Sequence, residues 1–171
     1  MYSLAWWPTV AATTISTITD LRSRRIPNWL VVPFLLLGIA LCGITGGWAG
    51  IGAGLEGLAA GAAPMALLYI LGGMGMGDVK LCAAIGVWVG PRQMMFVLVF
   101  MGLAGGIMAF AWAMWRGLLK EMLTDSGDLM LGVARRGLKP HERLTLKNPA
   151  ARKLPYAPAI AVGAVLSFFA L

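Results

Sequence analysis

Residues 50–90 read GIGAGLEGLAAGAAPMALLYILGGMGMGDVKLCAAIGVWVG. No charged residue lies between Glu56 and Asp78, and the apolar side chains run as a block, not as alternating or narrow helical stripes. A block of about 20 such residues matches the thickness of a bilayer's hydrocarbon core when coiled as a helix. Gly72, Gly73, Gly75 and Gly77 then crowd into six positions. Glycine gives the backbone freedom that a helix does not need, so this series predicts a break immediately before Asp78. A second apolar block follows at once. The stretch therefore reads as a helix, a glycine turn carrying an aspartate, and another helix.

The same pattern extends outward. Six apolar segments are predicted to cross a membrane: Leu4–Ile18, Trp29–Ile44, Gly50–Leu71, Val79–Val89, Met94–Trp115 and Tyr156–Leu171. Val79–Val89 is too short to span alone, so it is expected either to begin below the membrane surface or to be shielded by its neighbours. Only 12% of residues are charged and mean hydropathy is +0.80, whereas a soluble domain carries about 25% charged residues. The expected fold is thus all-α: a single polytopic membrane helix bundle over residues 1–171. No basic residue precedes the first segment and a basic cluster follows it. That is the reverse of a cleavable signal peptide, so a retained first span is expected.

Net charge is +7, yet the charges are not arranged as a nucleic-acid surface. Thirteen of the fourteen Lys and Arg residues fall after the first predicted span, after the third, or between the fifth and sixth; Arg92 is the exception. With six spans those three regions share one side, and the positive-inside rule makes it the cytoplasm, leaving both termini outside. Residues 116–154 form the one sizeable aqueous segment. Leu118–Val133 reads as an amphipathic stretch lying on the membrane, and His141 as a solvated loop residue. Cys42 and Cys82 sit in apolar surroundings and read as packing residues. Gly50/Gly54 and Gly57/Gly61 form small-xxx-small pairs suited to close helix packing. There is no metal-ligand cluster, phosphate-binding loop or internal repeat.

Seven acidic residues exist, and four (Glu121, Asp125, Asp128, Glu142) belong to the 116–154 segment. Asp20, Glu56 and Asp78 remain at or within membrane depth, where an ionisable group is costly and so a functional candidate. The charge map puts Asp20 and Asp78 at the same cytoplasmic face although 58 positions separate them. Glu56 falls near the opposite end, where exposure or packing is expected. Each aspartate also fits a simpler role: Asp78 as a helix cap, Asp20 as an interfacial charge.

Paired carboxylates suit peptide hydrolysis. The ionised one takes a proton from the attacking water; the protonated one donates to the carbonyl oxygen and later to the leaving amine. Two like charges held close share a single proton.

At these residues the chain resembles a known family. Gly75-Met76-Gly77-Asp78 fits the Gly-x-Gly-Asp signature of membrane aspartyl proteases. The segment Asp20…Arg25-Ile26-Pro27-Asn28 and the segment Lys153-Leu154-Pro155-Tyr156-Ala157-Pro158-Ala159 resemble the other recurring segments of type IV prepilin peptidases. The three matches occur in order across most of the chain, and its compactness is most similar to the tight-adherence (Flp-type) branch. The resemblance implies cleavage of leader peptides from prepilins or pseudopilins at the cytoplasmic face of a bacterial inner membrane, with periplasmic termini. Asp20 and Asp78 match the family's catalytic aspartates. Larger relatives methylate the new N-terminus and carry a tetracysteine zinc insertion between the first spans. This chain has only a short connection from Asp20 to Asn28 and two cysteines in all, so methyltransferase activity is not expected, and neither is a cofactor.

Around the aspartates, Gly75, Gly77, Lys80, Arg25, Pro27, Asn28, Pro155 and Tyr156 are expected to shape the site or contact substrate. Each has a plainer role as well. Lys80 suits a snorkelling lysine, Arg22, Arg24 and Arg25 suit anionic lipid headgroups, and Tyr156 suits an interfacial aromatic anchor. Pro27-Asn28 suits a helix start, and Pro155 with Pro158 a kink in the last span. A small proton or cation transporter using membrane carboxylates is the competing functional class. It requires Asp20 and Asp78 to be spaced along a path through the bilayer.

Overall fold

A computed structural model describes residues 2–71, 73–115 and 155–170, with side chains from residue 5 onward. Among the described residues the chain is all helical: α1 (Tyr2–Ser23), α2 (Asn28–Ile70), α3 (Met76–Trp115) and α4 (Ala157–Ser167). The expectations for residues 116–154, including Leu118–Val133 and His141, lie outside the described residues.

The two long helices, α2 and α3, are long and apolar enough to cross a membrane. Neither is straight. Gly47 (φ 57°, ψ −145°) interrupts α2 and Gly90 (φ 77°, ψ 170°) interrupts α3. Both lie at positive φ, which glycine reaches without the Cβ penalty of other residues. At each the chain doubles back. Gly50 and Gly54 return to the backbone and side chain of Cys42. Cys82 Sγ lies 3.9 Å from Met101 Sδ, nineteen positions on, whereas a straight helix would separate them by roughly 28 Å. Pro91 follows the second break, where a first helical position tolerates its missing N–H.

The result is six helical segments among the described residues: α1, arms 28–46 and 48–70 of α2, arms 76–89 and 91–115 of α3, and α4. The α2 and α3 arms match four of the expected spans to within a few residues. Arm 76–89 is short because it lies inside the bundle. Leu81, Cys82, Ala84 and Ile85 are fully buried, so neighbours and not lipid surround it. Large apolar residues such as Leu36, Ile44, Ile107 and Phe110 point outward instead.

Close backbone approach holds the α2–α3 pair. A Cβ at Gly57 would collide with the carbonyl oxygen of Gly86, a Cβ at Gly86 with that of Gly57, and a Cβ at Gly61 with that of Cys82. These glycines therefore let two arms touch along their backbones, as the small-residue spacing predicts. Nearby, Phe34 and Trp88 stack with ring centroids 5.1 Å apart, and Trp88 Nε1 donates to the Phe34 carbonyl at 2.8 Å.

α4 packs against α3 and α1, while α1 touches α2 and α3 only lightly. Trp6 meets Phe168 edge-on at 4.8 Å, and Asp20 reaches Ala157. Helices α1 and α4 are thus antiparallel, with both described chain ends at one end of the bundle and Asp20 at the other. Pro158 falls in the first turn of α4. Pro155 and Pro158 therefore start this helix and do not kink it, because the helix begins only at Ala157 and a first-turn proline forfeits no intrahelical hydrogen bond.

Candidate active site

The site forms where the end of α1, the short turn into α2 and the glycine turn before α3 converge. Asp20 lies in the last turn of α1. The helix ends four residues later at Arg24, whose N–H donates to the Asp20 carbonyl at 2.8 Å and whose φ is 50°. A non-glycine residue in this left-handed conformation is strained by about 1–2 kcal/mol, and such strain is characteristic of functional sites. It turns the chain sharply so that Arg25, Ile26 and Pro27 lead directly into α2. The Pro27 carbonyl accepts the N–H groups of Leu30 and Val31, at 3.2 and 3.4 Å, and so starts that helix.

Asp78 sits in the first turn of α3. Its Oδ2 accepts the Gly75 N–H at 3.3 Å, and its own N–H donates to the Gly75 carbonyl at 3.2 Å. This reciprocal pair resembles a capping box, so capping and exposure to the pocket are not alternatives for Asp78. A Cβ at Gly75 would press on that carboxylate at 3.2 Å, and one at Gly77 on the Ile26 side chain at 3.1 Å. The two glycines thus allow the turn to lie against both its own aspartate and the α1–α2 connection.

Asp20, Arg24, Arg25, Ile26, Gly75, Met76, Gly77 and Asp78 line one open pocket of about 300 Å³. Both aspartates are nearly buried, 8% and 9% exposed. Asp20 Oδ2 also accepts the N–H of Ala157, 137 positions away, at 3.2 Å. The first N–H groups of a helix have no intrahelical acceptor, so Asp20 satisfies one of those at the start of α4. Arg24 and Arg25 bring positive charge to the same wall. Among the described residues no three His, Cys, Asp or Glu side chains gather as a metal-binding group.

The other expected site residues are not among those lining this pocket. Lys80 Nζ donates to Asn28 Oδ1 at 3.2 Å, tying α3 to the start of α2 beside the pocket. Tyr156 packs on the apolar core next to Gly105, one residue before the N–H that binds Asp20. Pro155 precedes it, partly buried. Glu56 is exposed on arm 48–70 and does not approach either aspartate. Cys82 is buried in the core, and Cys42 Sγ contacts the Val87 carbonyl at 3.5 Å. Met76, Ile26 and the Ala157 amide were not foreseen as site groups. A main-chain N–H has no side-chain signature, and Met76 and Ile26 look like any other apolar residue.

Residues 7–110 match the family model described as the type IV leader peptidase family. The chain belongs to that family. The match contains both aspartates, the α1–α2 turn and the glycine turn. The chain is similar to a prepilin leader peptidase/N-methyltransferase of Aeromonas hydrophila, 35% identical over 115 residues, 60% of this chain and 39% of the relative. It is 30% identical over 158 residues to a protein of the same description from Bacillus subtilis, covering 90% of this chain and 50% of the relative. A Pectobacterium carotovorum relative, described likewise, is 28% identical over 114 residues, 63% of this chain and 39% of its own length. The chain thus spans half or less of the length of these curated relatives. No solved structure matches it.

Proposed function

We propose that this member of the type IV leader peptidase family is a membrane aspartyl endopeptidase that removes leader peptides from prepilins or pseudopilins of the Flp type. The observation carrying the proposal is the single pocket shared by Asp20 and Asp78, two nearly buried carboxylates from distant parts of the chain. One carboxylate, ionised, takes a proton from water as its oxygen attacks the scissile carbonyl carbon. The other, protonated, donates to the carbonyl oxygen. The tetrahedral intermediate then collapses as a proton passes to the amide nitrogen, the C–N bond breaks, and a carboxylic acid and a free amine result. The pocket is open, so water can reach both carboxylates.

The proposed setting is a bacterial inner membrane holding the six segments as one bundle, with the pocket facing the cytoplasm and both termini periplasmic. Exposed tryptophans support it. Trp29 and Trp115 lie toward the pocket end, Trp7 and Trp48 toward the opposite end, like the two aromatic belts at bilayer interfaces. Arg22, Arg24 and Arg25, at the pocket end of α1, suit contact with anionic headgroups. The relatives' N-methyltransferase designation is not extended to this chain, because its α1–α2 connection is four residues, 24–27, with no cysteine. A transporter would need its carboxylates staggered along a path through the bundle, whereas these two line one pocket at one end.

The test is co-expression with a candidate prepilin, scored by the size of the product. Wild-type protein is expected to yield the shortened pilin. Asp20→Asn and Asp78→Asn should each lower processing by about 10²–10⁴-fold, the range for loss of a general acid or base. Full processing by either variant at normal protein level rules out the two-aspartate mechanism.

A further inference from the structure

The described hydroxyls of α1 fall into two sets. Thr13, Thr14, Thr17, Thr19 and Ser23 each donate to a carbonyl three or four residues earlier, at 2.7–3.1 Å. This is the usual recourse of a hydroxyl in a helix, and it leaves nothing unpaired. Thr9 and Ser16 depart from it. Both are fully buried, and neither Thr9 Oγ1 nor Ser16 Oγ has a hydrogen-bond partner among the described residues. A buried polar atom without a partner is uncommon enough to call for a cause.

For Ser16 the cause lies one turn away. Ser16 and Asp20 are four residues apart on α1, so they occupy the same face with Cβ atoms about 5–6 Å apart. Both face inward, 0% and 8% exposed. Asp20 Oδ2 accepts the Ala157 N–H, and the side chain lines the pocket one turn beyond Ser16. A carboxylate can accept several hydrogen bonds, so an unpaired hydroxyl one helical turn away is placed to share one intervening water with it, which needs two to four polar partners to be held in a protein interior.

We propose that Ser16 is a positioning residue for Asp20, acting through one bound water that bridges its hydroxyl to the carboxylate. The inference rests on the proteolytic reading of Asp20. It adds a third restraint to that side chain, beside its own helix and the α4 amide. Ser16 touches no reacting atom. It fixes the rotamer from which Asp20 addresses the pocket, and water-mediated restraints of this kind hold nearly as well as direct ones.

The test compares Ser16→Thr with Ser16→Val. The two replacements have nearly the same shape and strain the buried site alike, but only Thr keeps a hydroxyl. Purified full-length protein is assayed in detergent with a synthetic prepilin leader peptide, and kcat and KM are measured separately. The Thr variant is expected to retain kcat near wild type. The Val variant should lose about ten- to a hundredfold in kcat with KM unchanged, the scale for a misplaced catalytic group. Equal kcat for Thr and Val overturns the proposal. Should neither accumulate, Ser16→Ala decides: lowered kcat at unchanged melting temperature supports the water bridge, and unchanged kcat refutes it. Asp20→Asn and Asp78→Asn serve as controls. If they are inactive and the hydroxyl makes no difference, only the Ser16 inference fails; if they still cleave, the proteolytic reading fails and the Ser16 role falls with it.

Discussion

Alanine at Gly57 and alanine at Gly102 are chemically the same change, yet they should move stability in opposite directions. Gly102 has nothing within 4 Å of where a Cβ would stand. There, alanine removes the entropic handicap of glycine in a helix and should stabilise by about 0.5–1 kcal/mol. At Gly57 the added methyl would collide with the carbonyl oxygen of Gly86 and come within 3.0 Å of Gly90 Cα. Both obstacles are backbone, so no rotamer change relieves them, and arms 48–70 and 76–89 must separate. Overpacking of this kind costs about 1–3 kcal/mol. Because packing, more than hydrophobicity, holds helices together in a bilayer, separation also loosens contacts along the whole crossing. The two variants should therefore differ by about 1.5–4 kcal/mol. Reversible unfolding in mixed detergent and dodecyl sulfate micelles, followed by tryptophan fluorescence, measures that difference. If Gly57→Ala proves as stable as Gly102→Ala, the claim that backbone contact at Gly57 and Gly86 sets the α2–α3 approach is wrong.

Lys80→Met removes the hydrogen bond to Asn28 without touching the pocket wall. Prepilin cleavage should fall by no more than about fivefold, the equivalent of one exposed hydrogen bond of ~1 kcal/mol; a loss as deep as that of Asp78→Asn would show that Lys80 takes part in the chemistry. Glu56→Gln alters an exposed side chain far from both aspartates, so processing and protein level should match wild type. Abolished cleavage at normal protein level would assign Glu56 a role that its position does not suggest.

The helical arms were legible because their boundaries are chemical. Gly90-Pro91-Arg92 interrupts an apolar run with a residue free to take positive φ and a residue that cannot continue the preceding helix, and the glycine series before Asp78 does the same. The meeting of Asp20 with Asp78 was legible only as a shared face, inferred from where the basic residues fall. Bringing them into one pocket takes the strained Arg24 turn and the fit of Ile26 against Gly77, tertiary details with no local pattern. The shortness of arm 76–89 left two readings open, a start below the membrane surface or shielding by its neighbours, and its burial fits the second. Ser16 was invisible by contrast: one hydroxyl among many on α1, distinguished only by which neighbour it lacks.

The bond from the Ala157 amide to Asp20 joins the first helix to the last. A chain inserted into a membrane as it is synthesised has both aspartates in place well before α4 emerges, but Asp20 has no amide to hold it until that helix docks. The pocket can be assembled early and tightened only at the end, so a truncated or half-inserted chain carries both acids without the restraint that holds the first of them.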